Sequence, residues 1–398
     1  MSATTSQPPA SARSVAVALL PIMAVVLIAF VVIGLAIPVL PLHVHQGLGL
    51  GTFVVGLVTG SQFAASLLSR VWSGQYADTR GAKRAVVVGL LMAAISGLLY
   101  LLSLRFVDAP VTSVTILLLG RTLLGGAESF IITGALAWGL ALVDARNTGK
   151  VIAWVGTAMY LAWAVGAPFG TALYANYGFV AIALATALAP LGTVLFVAPL
   201  RPVAPQLRGQ PAFTKVAHAV WVPGLGLAFS SMGFGTITTF AALLFVARGW
   251  SPAWLAFSAF AVAFIVARVV LGHLPDRFGG ARVALACVLI EAVGQALIWL
   301  APRPGLALVG AVLTGLGYSL VYPGLGVEAV RRAPPQSRGL TMGAYTAFFD
   351  LALGVTSPVL GLIASGAGLD TVFLASTLVV LCAGAVAMRL LYAPSRRA

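Results

Sequence analysis

The sequence predicts an all-α membrane protein, with twelve transmembrane helices in two pseudo-symmetric six-helix bundles. Three observations carry that expectation. Of 398 residues, 60% are hydrophobic and only 8% charged, against about 25% charged in a soluble domain. The apolar residues fall in runs long enough for spanning helices, which need ~20 residues each. A short polar phrase also occurs twice, as Gly74-Gln-Tyr-Ala-Asp78-Thr-Arg80-Gly81-Ala-Lys83-Arg84 and as Gly272-His-Leu-Pro-Asp276-Arg277-Phe-Gly279-Gly280-Ala-Arg282. A shift of 198 sets Gly272 on Gly74, Asp276 on Asp78, Gly279 on Gly81, Arg282 on Arg84 and, upstream, Arg268 on Arg70.

The twelve runs, in order, are 17–41, 52–73, 84–104, 112–143, 150–174, 178–198, 219–246, 252–272, 282–301, 305–330, 339–365 and 370–391. Residues 1–13 are polar, and no small-residue cleavage site follows, so the first run is expected to stay as a helix. The longest polar stretch, 201–218, holds three prolines and three basic residues. It divides the chain into a half over 1–200, a cytoplasmic linker over 201–218, and a half over 219–398. A second register, of 190 residues, pairs Gly149 with Gly339, Gly125 with Gly315 and Pro168 with Pro358. Small residues recur four apart, as at Gly56/Gly60 and Gly166/Gly170, so that helices pack closely.

The net charge of +14 suggests nucleic acid until the charges are placed. With the N-terminus in the cytoplasm, nineteen of the 23 Lys and Arg fall on cytoplasmic segments or the cytoplasmic ends of spans. Arg105, Arg248 and Arg303 face the other side, and Arg121 lies within a span. That asymmetry puts both termini inside. A charge spread over short loops excludes a nucleic-acid partner; anionic lipid headgroups are the expected counter-charges. Cys287 and Cys382 lie in apolar runs and read as small hydrophobes. His43 and His45 have no Cys, Asp or Glu near enough in sequence to complete a metal site. With no nucleophile–base pair and no phosphate loop, neither an enzyme nor a cofactor is expected.

These features resemble the major facilitator superfamily of secondary transporters. Gly74–Arg84 is similar to its loop 2–3 signature and Gly272–Arg282 to the corresponding loop 8–9. Arg121 followed by Gly125-Gly126 resembles the fourth-helix arginine motif, and Gly166-Ala-Pro168-Phe-Gly170 the fifth-helix exporter signature, with Ala167 splitting its Gly-Pro pair. Gly233–Phe240, Leu274–Gly280 and Val327–Gly339 resemble a bacterial inner-membrane subfamily assigned to arabinose or drug efflux. The resemblance implies two halves that rock about a midplane cavity, a small-molecule substrate and a monomer in the bacterial cytoplasmic membrane. It also implies a conformational latch at Gly74, Asp78, Arg80, Gly81 and Arg84, with Asp144 as an acidic partner and Asp276 and Arg282 in the second copy. A merely topogenic basic loop is the alternative.

Nine acidic residues exist, and Glu128, Glu291 and Asp350 fall near the middle of apolar spans. An ionised group there costs roughly 2.5–3.5 kcal/mol on insertion scales, which marks it as functional. Glu128 is the first choice for proton coupling. Arg121, seven residues earlier, lies on the same helical face, and the two are read as an ion pair that opens and closes. The alternative is a static pair that fixes packing. Asp350, with no base near it in sequence, is the second choice for coupling; the alternative is an Asp satisfied by backbone or hydroxyl groups. Glu291 and Arg268 lie at similar depth and suggest a structural bridge, and Glu328 beside Arg331 and Arg332 reads as a gate or latch residue of the second half. Trp138, Trp163, Phe234, Tyr318 and Tyr322, with Gln62 and Thr133, are cavity candidates, and Pro168 and Pro358 are hinges. The function expected is proton-coupled efflux of a small organic compound. The alternatives are proton-coupled uptake of a sugar or organic acid, and a sensor that transports nothing.

Overall fold

A computed structural model describes residues 12–143, 148–203, 213–333 and 338–392. The first six long helices are α1 (Ala12–Ala36), α3 (Thr52–Arg80), α4 (Ala82–Ser103), α5 (Pro110–Leu142), α6 (Thr148–Tyr177) and α7 (Phe179–Val197), with a short α2 (Val39–Leu42) after α1. The last six are α8 (Phe213–Ala247), α9 (Leu255–Leu271), α11 (Gly280–Trp299), α12 (Pro304–Arg332), α13 (Arg338–Ala367) and α14 (Leu369–Tyr392), with a short α10 (Leu274–Phe278) after α9. Ten of these among the described residues are long and apolar enough to cross a bilayer. The 30-residue α6 and the 17-residue apolar α9 complete the expected twelve.

Two boundaries differ from expectation. The first run is broken at Ile37–Pro38, between α1 and α2, where proline has no N–H to continue the ladder. The helical backbone of α8 begins at Phe213, inside the stretch expected as a linker.

Turns between helices repeat their chemistry. Gly81 (φ 100°) and Gly279 (φ 93°) occupy matched turns, as do Gly178 (φ 68°) and Gly368 (φ 91°). Only glycine enters this region without steric cost, so the shared register has a backbone cause.

The two bundles also pack alike. A Cβ at Gly125 would strike the Gln62 carbonyl, and one at Gly315 the Phe260 carbonyl. Gly134 lies against Ala82 and Val86, and Gly324 against Gly280 and Ala284. Each second pair is the first moved by the two shifts read from the sequence. Small residues let α3 and α4 touch α5, and α9 and α11 touch α12, backbone to backbone.

Between the bundles, α3 runs against α13. At the end carrying Gly178 and Gly368, Thr52 Oγ1 donates to the Gly361 carbonyl at 3.0 Å. Gly56 faces the backbone of Ser357, and Gly60 the Pro358 ring. There α3 and α13 meet in backbone contact.

Candidate functional site

One face of α3 carries Gln62, Ser66, Arg70 and Ser73 at helical spacing. This polar stripe meets the buried acids of two other helices. Asp350, on α13, is 1% exposed. Its Oδ2 accepts from Arg70 Nε at 2.6 Å, pairs with Arg70 Nη2, and accepts from Ser66 Oγ at 3.4 Å. Asp350 therefore has a basic partner, contrary to the expectation of an unpaired acid, and that partner comes from the other bundle. Glu128, on α5, accepts from Gln62 Nε2 at 2.7 Å. Further along the stripe, Ser73 Oγ lies 3.0 Å from Ser129 Oγ and donates to Thr133 Oγ1 at 3.3 Å.

Arg121 does not pair with Glu128. Its Nε donates to the Val58 carbonyl at 3.2 Å and its Nη1 to the Tyr100 hydroxyl at 3.4 Å. Seven residues on one face are still ~10 Å apart along the axis. The close crossing at Gly125 brings Gln62 to Glu128 first.

The bridge expected between Glu291 and Arg268 is absent as well. Glu291 Oε2 accepts from Ser230 at 2.5 Å, and the carboxyl lies against Gly233 of α8. Arg268 turns the other way. Its Nη1 donates to the Ser319 carbonyl at 2.7 Å, and its guanidinium lies 5.6 Å from the Tyr160 ring centroid. Glu328 pairs within its own helix, with Arg331 at 3.1 Å and Arg332 at 2.6 Å.

An aromatic cluster fills the space between the bundles. Trp163 of α6 stacks on Phe234 of α8 (5.6 Å) and on Phe349 of α13 (6.3 Å). Phe234 stacks on Tyr318 of α12 at 5.3 Å, and Tyr160 lies 6.2 Å from Tyr322. Trp163, Phe234, Tyr318 and Tyr322 are thus brought together. Trp138 is buried but makes no ring contact with them among the described residues. Two buried polar atoms of the cluster, the Tyr160 hydroxyl and Trp163 Nε1, have no partner within hydrogen-bond distance among the described residues, though the Tyr318 hydroxyl lies beside the first.

The two bundles' arginines occupy equivalent places. The shift of 198 carries Arg70 onto Arg268, and the shift of 190 carries Tyr160 onto Asp350. Arg70–Asp350 across α3 and α13 therefore corresponds to Arg268–Tyr160 across α9 and α6. Likewise Gln62 and Glu128 correspond to Phe260 and Tyr318. One seam is ionic and the other aromatic.

Of the residues expected in the latch, Gly81 shapes its turn, as Gly279 does in the second copy, and Arg80, Arg84, Asp276 and Arg282 are exposed. Asp78, in the last turn of α3, forms no ion pair with a described residue. A Cβ on Gly74 would meet nothing within 4 Å. Asp144 lies outside the described residues. Pro168 sits inside α6 between Gly166 and Gly170, which face the backbones of Gly34 and Leu35 on α1. The spacing of that motif therefore serves a close α1–α6 crossing. Pro358 sits inside α13 against Gly60.

The sequence model of the Major Facilitator Superfamily matches residues 22–256 and 224–398. An uncharacterized MFS-type transporter of Salmonella typhimurium is 41% identical over 96% of this chain and 99% of its own length. YhhS of Escherichia coli, also an uncharacterized MFS-type transporter, is 41% identical over 91% of this chain and 88% of its own. Among solved structures, a D-xylose-proton symporter superposes with a TM-score of 0.76 at 15% identity, covering 95% of this chain and 98% of that one. A bacterial homologue of the lysosomal transporter Spinster, in an inward-facing and unoccupied conformation, gives 0.75 at 14% identity, covering 96% and 97%.

Proposed function

The chain belongs to the Major Facilitator Superfamily, and from that premise we propose that it exports a small organic compound in exchange for protons, as a monomer in the cytoplasmic membrane. The Arg70–Asp350 pair is the observation that carries the reading. It is a buried charge pair whose two members stand on different bundles, so its making and breaking is tied to their relative motion. A proton on Asp350 cancels the charge that holds Arg70. The α3–α13 seam is then left with its backbone packing and the Thr52–Gly361 hydrogen bond at one end, and the bundles are free to rock about the site. Glu128 shares the stripe through Gln62 and serves as the second proton carrier. Arg121, bonded to α3 and α4 through Val58 and Tyr100, holds the helices that present Glu128.

The basic residues on the turns at Gly81 and Gly279 support a cytoplasmic position for that end. In the reverse conformation this end closes, and Asp78, Arg80 and Arg84 with Asp144, and Asp276 with Arg282, latch the bundles there. Pro168 and Pro358 take up the bending. Outward transport is supported by the Gly166–Gly170 motif in α6. The test is flux of a compound panel into everted vesicles with and without a proton gradient. Loss of flux on collapsing the gradient, and in Asp350→Asn, is expected. Flux indifferent to the gradient would overturn the coupling, and accumulation by intact cells would overturn the direction.

A further inference from the structure

Arg268 is a half-buried cation inside an apolar bundle without an acid to neutralise it. Among the described residues no carboxylate lies within ion-pair distance of it, whereas its counterpart Arg70 holds Asp350. Among the described residues only its Nη1 is engaged, by the Ser319 carbonyl, which leaves other guanidinium N–H groups to donate. The ring it covers, Tyr160, also touches Trp163 at 5.5 Å. The Tyr160 hydroxyl and Trp163 Nε1 are both buried, and neither has a partner within hydrogen-bond distance among the described residues. Three groups around one ring can therefore donate hydrogen bonds; the Tyr160 hydroxyl has the Tyr318 hydroxyl beside it, and Trp163 Nε1 has no partner among the described residues. Buried donors left unmade are expensive, and a desolvated cation more so. Flat rings pack beside these donors, with Trp163 stacked on Phe234 and Phe349.

Resting on the reading of the chain as an exporter, we infer that the seam between α6 and α9 binds the carboxylate of a planar organic anion, with Arg268, Tyr160 and Trp163 as its donors and the aromatic cluster as the bed for its body. A guanidinium fork fits a carboxylate in two parallel hydrogen bonds. The Arg70–Asp350 pair lies beside this site, next in sequence to Phe349 of the cluster, and keeps its own partner. Proton coupling and anion binding then sit on the two equivalent seams of one pseudo-symmetric bundle.

The experiment is calorimetric titration of the purified full-length protein, in discs of zwitterionic lipid, with naphthoate, naphthamide and naphthylmethylammonium. These probes share one ring system and differ in the charge of the head. Naphthoate should bind at least about tenfold more tightly than the amide, because a charge-assisted hydrogen bond is at stake. Arg268→Gln should lose that preference. Arg268→Lys should keep it with weaker binding, and Trp163→Phe should weaken naphthoate and leave naphthamide alone. Equal binding of the three heads, no binding of naphthoate, or naphthoate binding untouched by Arg268→Gln would each overturn the inference. Should Arg268→Gln fail to fold, the wild-type comparison of heads and the lysine variant decide. Naphthoate binding by a protein that moves nothing would sink the exporter and leave the site standing. Proton-driven flux of another compound by a protein that ignores naphthoate would do the reverse.

Discussion

The Arg268 guanidinium rests 5.6 Å from the Tyr160 ring centroid, in the place where internal symmetry sets the ion pair of Arg70 with Asp350. The repeat has kept the arginine in both bundles and exchanged what it touches. A carboxylate binds a guanidinium strongly and releases it on taking up a proton. A phenol ring binds it more weakly and at every pH near neutral. The exchange leaves one of two equivalent seams with an acidic partner and the other with an aromatic one.

Removing either partner of the ionic seam should be costly, since it strands the other charge. Asp350→Asn and Arg70→Gln are each expected to lower stability, and the double variant to lose less than the sum of the two. Chemical unfolding of the four proteins in detergent should give a coupling energy of about 1–3 kcal/mol. A coupling near zero would mean that the pair contributes nothing across the seam.

Glu128→Gln should fold, because the new amide still offers an oxygen to Gln62 Nε2. Its flux is expected to lose its dependence on external pH, while its melting temperature stays within a few degrees of the wild type. Unchanged pH dependence would remove Glu128 from the coupling.

Glycines at matched crossings should respond alike. A methyl at Gly125 or Gly315 runs into a backbone carbonyl, whereas one at Gly192 of α7 meets nothing within 4 Å. Gly125→Ala and Gly315→Ala are each expected to cost about 1–3 kcal/mol by overpacking. Gly192→Ala should be neutral or slightly stabilising, as alanine is the better helix former. Thermal unfolding of the three variants checks the contrast.

Gly74 and Gly81 stand in one signature for different reasons. Gly81 (φ 100°) is strained by any side chain, so Gly81→Ala should destabilise by about 1–2 kcal/mol. Gly74 has open space beside it here. If the bundles close at this end during transport, Gly74→Leu should melt like the wild type and carry no flux. Full flux in that variant would argue against closure at Gly74.

The helices were legible because bilayer thickness sets a length that apolar runs reveal, and the repeated turns because left-handed backbone admits little but glycine. The buried acids were legible too, since Glu128, Glu291 and Asp350 interrupt apolar spans. Their partners were not. Spacing along one helix suggested Arg121 for Glu128, but Gln62 arrives from α3 through the crossing at Gly125. Asp350 meets a residue 280 positions away. The available signal was the stripe Gln62, Ser66, Arg70 and Ser73 on one face of an otherwise apolar helix, together with the recurrence of Arg70 as Arg268. Similar depth paired Glu291 with Arg268 wrongly, because depth carries no information about which way a side chain points around its helix.

The second bundle differs from the first in one mechanical respect. Where α3 runs unbroken from Thr52 to Arg80, its counterpart stops at Leu271 and resumes as α10 at Leu274, with Pro275 in the new first turn. One bundle thus ends in a stiff rod and the other in a jointed arm. A push applied at that end would be carried whole by the rod and absorbed first at the joint, so the two sides of a nearly symmetric machine need not move in step.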